Sequence, residues 1–148
     1  MDETVERWPD RAGEVSGLSW DPIVRHLCGC LPGLLAIHAF GSRVTGEAGP
    51  ASDLDLAVLV EGKADPVALW GMANQLADQV GCPVDLLDLR AASTVMQYRI
   101  ISTGTRIWDR DGRAALYESF ILSAKTALDE ARGPLLARIQ REGTIHGR

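Results

Sequence analysis

The chain has 148 residues, 46% of them apolar and 24% charged, with a formal charge of −5 at neutral pH. That length suits one domain, and the balance is that of an ordinary globular protein, which excludes the disordered and fibrous classes. The acidic charge, the presence of only two lysines (Lys63 and Lys125) and the lack of a basic stripe disfavour direct nucleic-acid binding, and no apolar run approaches the ~18 residues of a membrane span.

Residues 1–19 contain Pro9, Gly13 and Gly17 without a clear period and are expected to form an arm, leaving residues 20–148 as the domain. The start, Met1 to Glu6, is acidic and lacks a hydrophobic signal core, which points to a cytoplasmic location. Asp21-Pro22 reads as an N-cap followed by proline at the first helical position. The helix runs to about Cys30, burying Ile23, Val24 and Leu27, and Pro32-Gly33 ends it. Leu34 to Phe40 is short and apolar, as a buried strand is. Leu54 to Val60 is a second strand. Its period of two puts Asp53, Asp55, Ala57 and Leu59 on one face and Leu54, Leu56, Val58 and Val60 on the other.

Glu61-Gly62-Lys63 turns the chain, and Asp65-Pro66 repeats the cap-and-proline signal. Leu69, Ala73, Leu76, Ala77 and Val80 then form the apolar stripe of a helix that Gly81 stops. Pro83 to Leu89 predicts a third strand, residues 91–103 a helix stopped by Gly104, and Thr105 to Trp108 an edge strand. The last long helix starts near Asp111 and is expected to bury Leu116, Phe120, Ala124, Ala127, Leu128 and Ala131. Gly133-Pro134 is expected to break it before one more helical piece. The fold class is α/β: a single domain with a mixed β-sheet flanked by helices.

Two stretches carry candidate chemistry. Gly41-Ser42 follows a strand, and after ten intervening residues comes Asp53-Leu54-Asp55. Gly41 lets a backbone approach closely, and Ser42 offers a hydroxyl and an N–H to phosphate oxygens. Alone, such a dipeptide is most often an ordinary turn. Two carboxylates on one side of an apolar strand are costly to place, and a divalent cation relieves that cost. A solvated strand start would account for Asp53 more easily than for Asp55. Asp85 is a third carboxylate, in the middle of an apolar strand. Two aspartates on one strand and a third on its neighbour suit two metal ions ~3.5–4 Å apart. Asp88 lies on the opposite face and reads as a structural cap for the helix after it. Arg43 suits a nucleotide phosphate or a surface carboxylate equally. Cys28, Cys30 and Cys82 lack zinc-site spacing; His38 reads as a packed strand residue, and Trp70 and Trp108 as core or interface packing.

Taken together, Gly-Ser, ten residues, Asp-x-Asp and a later strand aspartate resemble the DNA polymerase β nucleotidyltransferase superfamily, with its palm-like fold. His38-Ala39-Phe40-Gly41-Ser42-Arg43, Ser52-Asp53-Leu54-Asp55-Leu56-Ala57-Val58 and Val84-Asp85-Leu86-Leu87-Asp88-Leu89 look like the minimal nucleotidyltransferases, over roughly residues 20–135. Many of these are antitoxins paired with a helical HEPN ribonuclease toxin. The resemblance implies transfer of AMP from ATP to a tyrosine hydroxyl of that toxin, within a hetero-oligomer. Carried over, Gly41, Ser42 and Arg43 would bind nucleotide. Asp53, Asp55 and Asp85 would be catalytic and hold two Mg²⁺ ions. The chain departs at Ala127, where an aromatic residue is expected before Leu128-Asp129. Two alternatives stand beside this: a small-molecule, aminoglycoside-type nucleotidyltransferase, and a non-catalytic antitoxin acting by binding alone.

Overall fold

A computed structural model describes residues 14–15, 18–45 and 52–145, with side chains over 19–44 and 52–133. In chain order, β1 (Glu14–Val15) and β2 (Leu18–Ser19) pair antiparallel. They are followed by α1 (Asp21–Cys30), β3 (Leu34–Phe40), α2 (Ser42–Thr45), β4 (Leu54–Val60), α3 (Pro66–Val80) and β5 (Val84–Asp88). A 3₁₀ turn (Leu89–Ala91), α4 (Thr94–Thr103), β6 (Thr105–Asp109) and α5 (Arg113–Ile145) complete it. Most of the expected 1–19 arm lies outside the described residues; its end, expected to be loose, forms the β1–β2 pair instead.

The main sheet has the order β5-β4-β3-β6. β3 runs antiparallel to β4 and β6, while β4 and β5 are parallel, so the sheet is mixed and β6 is an edge as expected. All of β3 is buried, and β4 is buried except at Asp55. The alternation read from β4 holds. Leu54, Leu56, Val58 and Val60 join Ile23, Leu27, Leu69 and Leu76 beneath α1 and α3. Ala57 and Leu59 join Leu35, Phe40, Ile100 and Ile121 beneath α4 and α5. Each such aliphatic side chain contributes roughly 1.5–3 kcal/mol on burial.

Local signals succeed and fail for definable reasons. The Asp65 side chain accepts from Val67 N at 3.4 Å, and Gly81 ends α3 at φ 80°. At α1 the cap is Trp20, without a side-chain bond, and Asp21 lies inside the first turn. Trp20 is buried and fixes the entry of the chain, so the Asp21 carboxylate acts only on the positive end of the helix. α4 begins at Thr94 rather than Ala91, because Ser93 Oγ accepts from Met96 N at 3.1 Å and the preceding residues close a 3₁₀ turn.

α5 differs most from expectation. It continues through Gly133-Pro134 to Ile145, since a missing N–H removes one bond of the ladder while flanking turns keep theirs. Its buried stripe is Ala114 and Ile121 with half-buried Tyr117, whereas Leu116 (72% exposed) and Phe120 (65%) point to solvent. Glu118 sets this rotation. His38 Nε2 and Arg106 Nη1 both donate to Glu118 Oε2 at 2.9 Å, which turns that side of the helix onto the sheet. His38 is thus the packed strand residue expected, at 2% exposure. Trp108 is core, and Trp70 is exposed. Among the described residues no helix is long and apolar enough to cross a membrane.

Candidate active site

β3 delivers the first part of the site. After Phe40 the chain turns at Gly41 with φ +84°, the left-handed region that favours glycine. A Cβ at Gly41 would also collide with Asp55 Oδ2, so the identity of residue 41 follows from the carboxylate beside it. Ser42 opens α2 directly afterwards.

Strand register supplies the rest. Phe40 pairs with Asp55 across the antiparallel β3–β4 ladder, and Asp55 pairs with Asp85 across the parallel β4–β5 ladder. The glycine turn and two carboxylates therefore lie side by side on three adjacent strands. Asp53 stands exposed just before β4. Asp55 is half-buried. Burial first, then the charges of Asp85 and Asp53, push its carboxyl above the usual carboxylate range. The clustered negative charge of these aspartates is a donor set that a hard divalent cation suits. The fit is one of chemistry: among the described residues, no three His, Cys, Asp or Glu side chains are already closed into a metal-binding group.

A cleft of about 470 Å³ opens here. Phe40, Gly41, Ser42, Asp55 and Asp85 form one side of it. Leu87, together with Met96, Arg99 and Thr103 of α4, completes the lining. Sequence reasoning missed these last four. The alternation that puts Asp85 in the site also puts Leu87 there. Met96, Arg99 and Thr103 recur at helical spacing beside the buried Gln97 and Ile100, a signal readable only once α4 is known to cover this end of the sheet.

Two neighbouring residues are held elsewhere. Arg43 is 7% exposed, does not line the cleft, and donates from Nε to Ser52 O at 3.0 Å. It ties α2 to the residue before Asp53; residues 46–51 between them lie outside the described residues. Asp88 is buried and structural: Oδ1 accepts from Arg90 N and Oδ2 from Ala64 N, each at 3.0 Å. It caps the 3₁₀ turn rather than α4. Cys28, Cys30 and Cys82 are free thiols.

Comparison with known proteins bears on this geometry. Residues 27–113 match the family described as polymerase beta, nucleotidyltransferase. The chain is 37% identical over 91 residues to the protein adenylyltransferase MntA of Shewanella oneidensis. That alignment covers 62% of this chain and 66% of the relative, just under two thirds of its length. A chain in the crystal structure of a toxin–antitoxin with AMP-PNP superposes with a TM-score of 0.75 at 31% identity, over 83% of this chain and 99% of that one. A chain in the structure of the tri-AMPylated Shewanella oneidensis HEPN toxin in complex with MNT antitoxin gives 0.68 at 29% identity, over 81% and 94%.

Proposed function

As the chain belongs to the polymerase beta nucleotidyltransferase family, we propose that it is a protein adenylyltransferase antitoxin, moving AMP from ATP to a tyrosine hydroxyl of a HEPN ribonuclease toxin. The observation that carries this reading is the register that sets Asp55 against Asp85 and beside the Gly41 turn. The MntA relative, named as a protein adenylyltransferase, and the tri-AMPylated toxin complex support the acceptor class. A net charge of −5 suits encounter with a basic partner, and ATP as donor suits the cytoplasm.

The chain's own groups divide the work. Gly41 lets the polyphosphate approach the backbone, and the Ser42 hydroxyl donates to it. Asp53, Asp55 and Asp85 would hold two Mg²⁺ ions. Bound there, magnesium supplies charge neutralisation to the phosphates and acidifies the acceptor hydroxyl. Asp85 takes the tyrosine proton as the phenolic oxygen bonds to the α-phosphorus and the bond to pyrophosphate breaks. Arg43, which donates to Ser52 O, braces the turn. Positioning and charge stabilisation, not covalent catalysis, lower the barrier.

The test is incubation of the full chain and a HEPN toxin, sought in the adjacent reading frame, with ATP labelled at the α-phosphorus. Magnesium-dependent label on a tyrosine of the partner is expected. A bound but unlabelled partner would overturn the reading. Label in a small soluble product would instead indicate a small-molecule acceptor, and toxin suppression by an inactive Asp55→Asn chain would indicate neutralisation by binding alone.

A further inference from the structure

We propose that Arg99, on α4, is the side chain that grips the polyphosphate of the incoming nucleotide. The inference rests on the nucleotidyl-transfer reading above and assigns a residue that the Gly-Ser and Asp-x-Asp stretches do not contain.

The cleft has two chemically opposite walls. Its sheet side carries Asp55 and Asp85, and its helix side carries Arg99, the one cation among the described residues that line it. Among the described residues the Arg99 guanidinium has neither an ion-pair nor a hydrogen-bond partner. Its charge is therefore not fixed in an ion pair with any described carboxylate. A ligand that must meet acidic side chains through cations on one side, and a bare guanidinium on the other, is a polyanion.

The backbone at Arg99 is also held in place, with its side chain exposed. Thr103 Oγ1 donates to Arg99 O at 2.7 Å, and Ile100 beside it is fully buried. At the end of α4, a Cβ on Gly104 would stand 2.6 Å from Ala39 O and 2.5 Å from Ile100 O. The glycine thus allows α4 to press directly on β3, one residue before Phe40 and the Gly41-Ser42 turn. The guanidinium and the proposed phosphate anchor are carried by two elements in backbone contact. A guanidinium presents forked donors that match phosphate oxygens in pairs, which an ammonium does not. Arg43, adjacent to Ser42 in sequence, is buried on Ser52 O and leaves this task to a residue far along the chain.

Equilibrium binding of Mg·ATP and of AMP to the full-length wild-type, Arg99→Ala and Arg99→Lys chains tests this. Arg99→Ala should weaken ATP by about 10-fold or more, the scale of a charged hydrogen bond, while AMP, which lacks the β- and γ-phosphates, changes little. Arg99→Lys should recover only part of the ATP affinity. Unchanged ATP affinity in Arg99→Ala overturns the assignment, as does equal loss for ATP and AMP. So does normal ATP affinity with reduced transfer, which would place Arg99 on the acceptor side. A wild-type chain that binds neither nucleotide overturns the nucleotidyl-transfer reading itself. Wild-type binding of ATP with no response to Arg99→Ala removes only this inference.

Discussion

Under α1 and α3 the sheet is sealed by aliphatic side chains, with Ile23, Leu27, Leu69 and Leu76 closing over Ile37, Leu56 and Val58. Under α4 and α5 the apolar cluster is smaller. There Glu118 links His38 of β3 to Arg106 of β6, Gln97 donates to Leu89 O and to the Tyr117 hydroxyl, and the cleft opens at the strand ends. One face resists solvent; the other tolerates charge because it is tied by directed bonds, and the candidate chemistry lies on that second face. Stability and function are thus largely assigned to different sides of one sheet.

Substitutions sharpen or break this division. The largest stability effect is expected at Ile37→Ala, which should lower the free energy of unfolding by about 2–5 kcal/mol through lost burial and an unfilled cavity. Denaturant titration reads it, and nucleotide affinity of the folded fraction should not move. Loss of affinity at constant folded fraction would show that the two faces are coupled.

Next comes Glu118→Gln, expected to cost about 1–3 kcal/mol because His38 and Arg106 lose a charged acceptor. Half-burial raises the Glu118 carboxyl, but the His38 hydrogen bond and the Arg106 charge outweigh it and hold it below the usual range. A lowered folded pKa stabilises above the unfolded value and is lost as pH falls through the folded one. The gap between wild type and variant should therefore close on acidification. A gap independent of pH would mean that shape, not charge, fixes α5. The smallest effect is expected at Phe120→Ser, within about 0.5 kcal/mol, as for an exposed position. A loss comparable to that of a core residue would contradict the observed rotation of α5.

Much of this was readable in the residues. β3 and β4 are short apolar runs with clean alternation, and Gly41, Asp55 and Asp85 meet because strand register follows from that alternation. The phase of α5 was not readable. Ala114, Leu116, Tyr117, Phe120, Ile121 and Leu122 offer apolar groups on several sides of the helix, and a pair of contacts from distant strands to Glu118 decides between them. Arg43 and Arg99 teach the same lesson within the site. Adjacency to Ser42 singled out Arg43, yet its partner Ser52 O holds it in the interior. Arg99 lines the cleft only because α4 folds back across the end of β3.

Asp55 is expected to serve chemistry at the expense of the fold. Burial and its acidic neighbours raise its pKa, so its contribution to stability is full below the unfolded value and is lost as pH rises through the folded one. Asp55→Asn should therefore melt at or above the wild-type temperature at neutral pH. The decisive measurement is its rate of magnesium-dependent AMP transfer with ATP and partner saturating. A rate at least about 100-fold below wild type is expected, the scale of removing one stabilising group from a charged transition state. A folded Asp55→Asn chain that transfers AMP at the wild-type rate would contradict it.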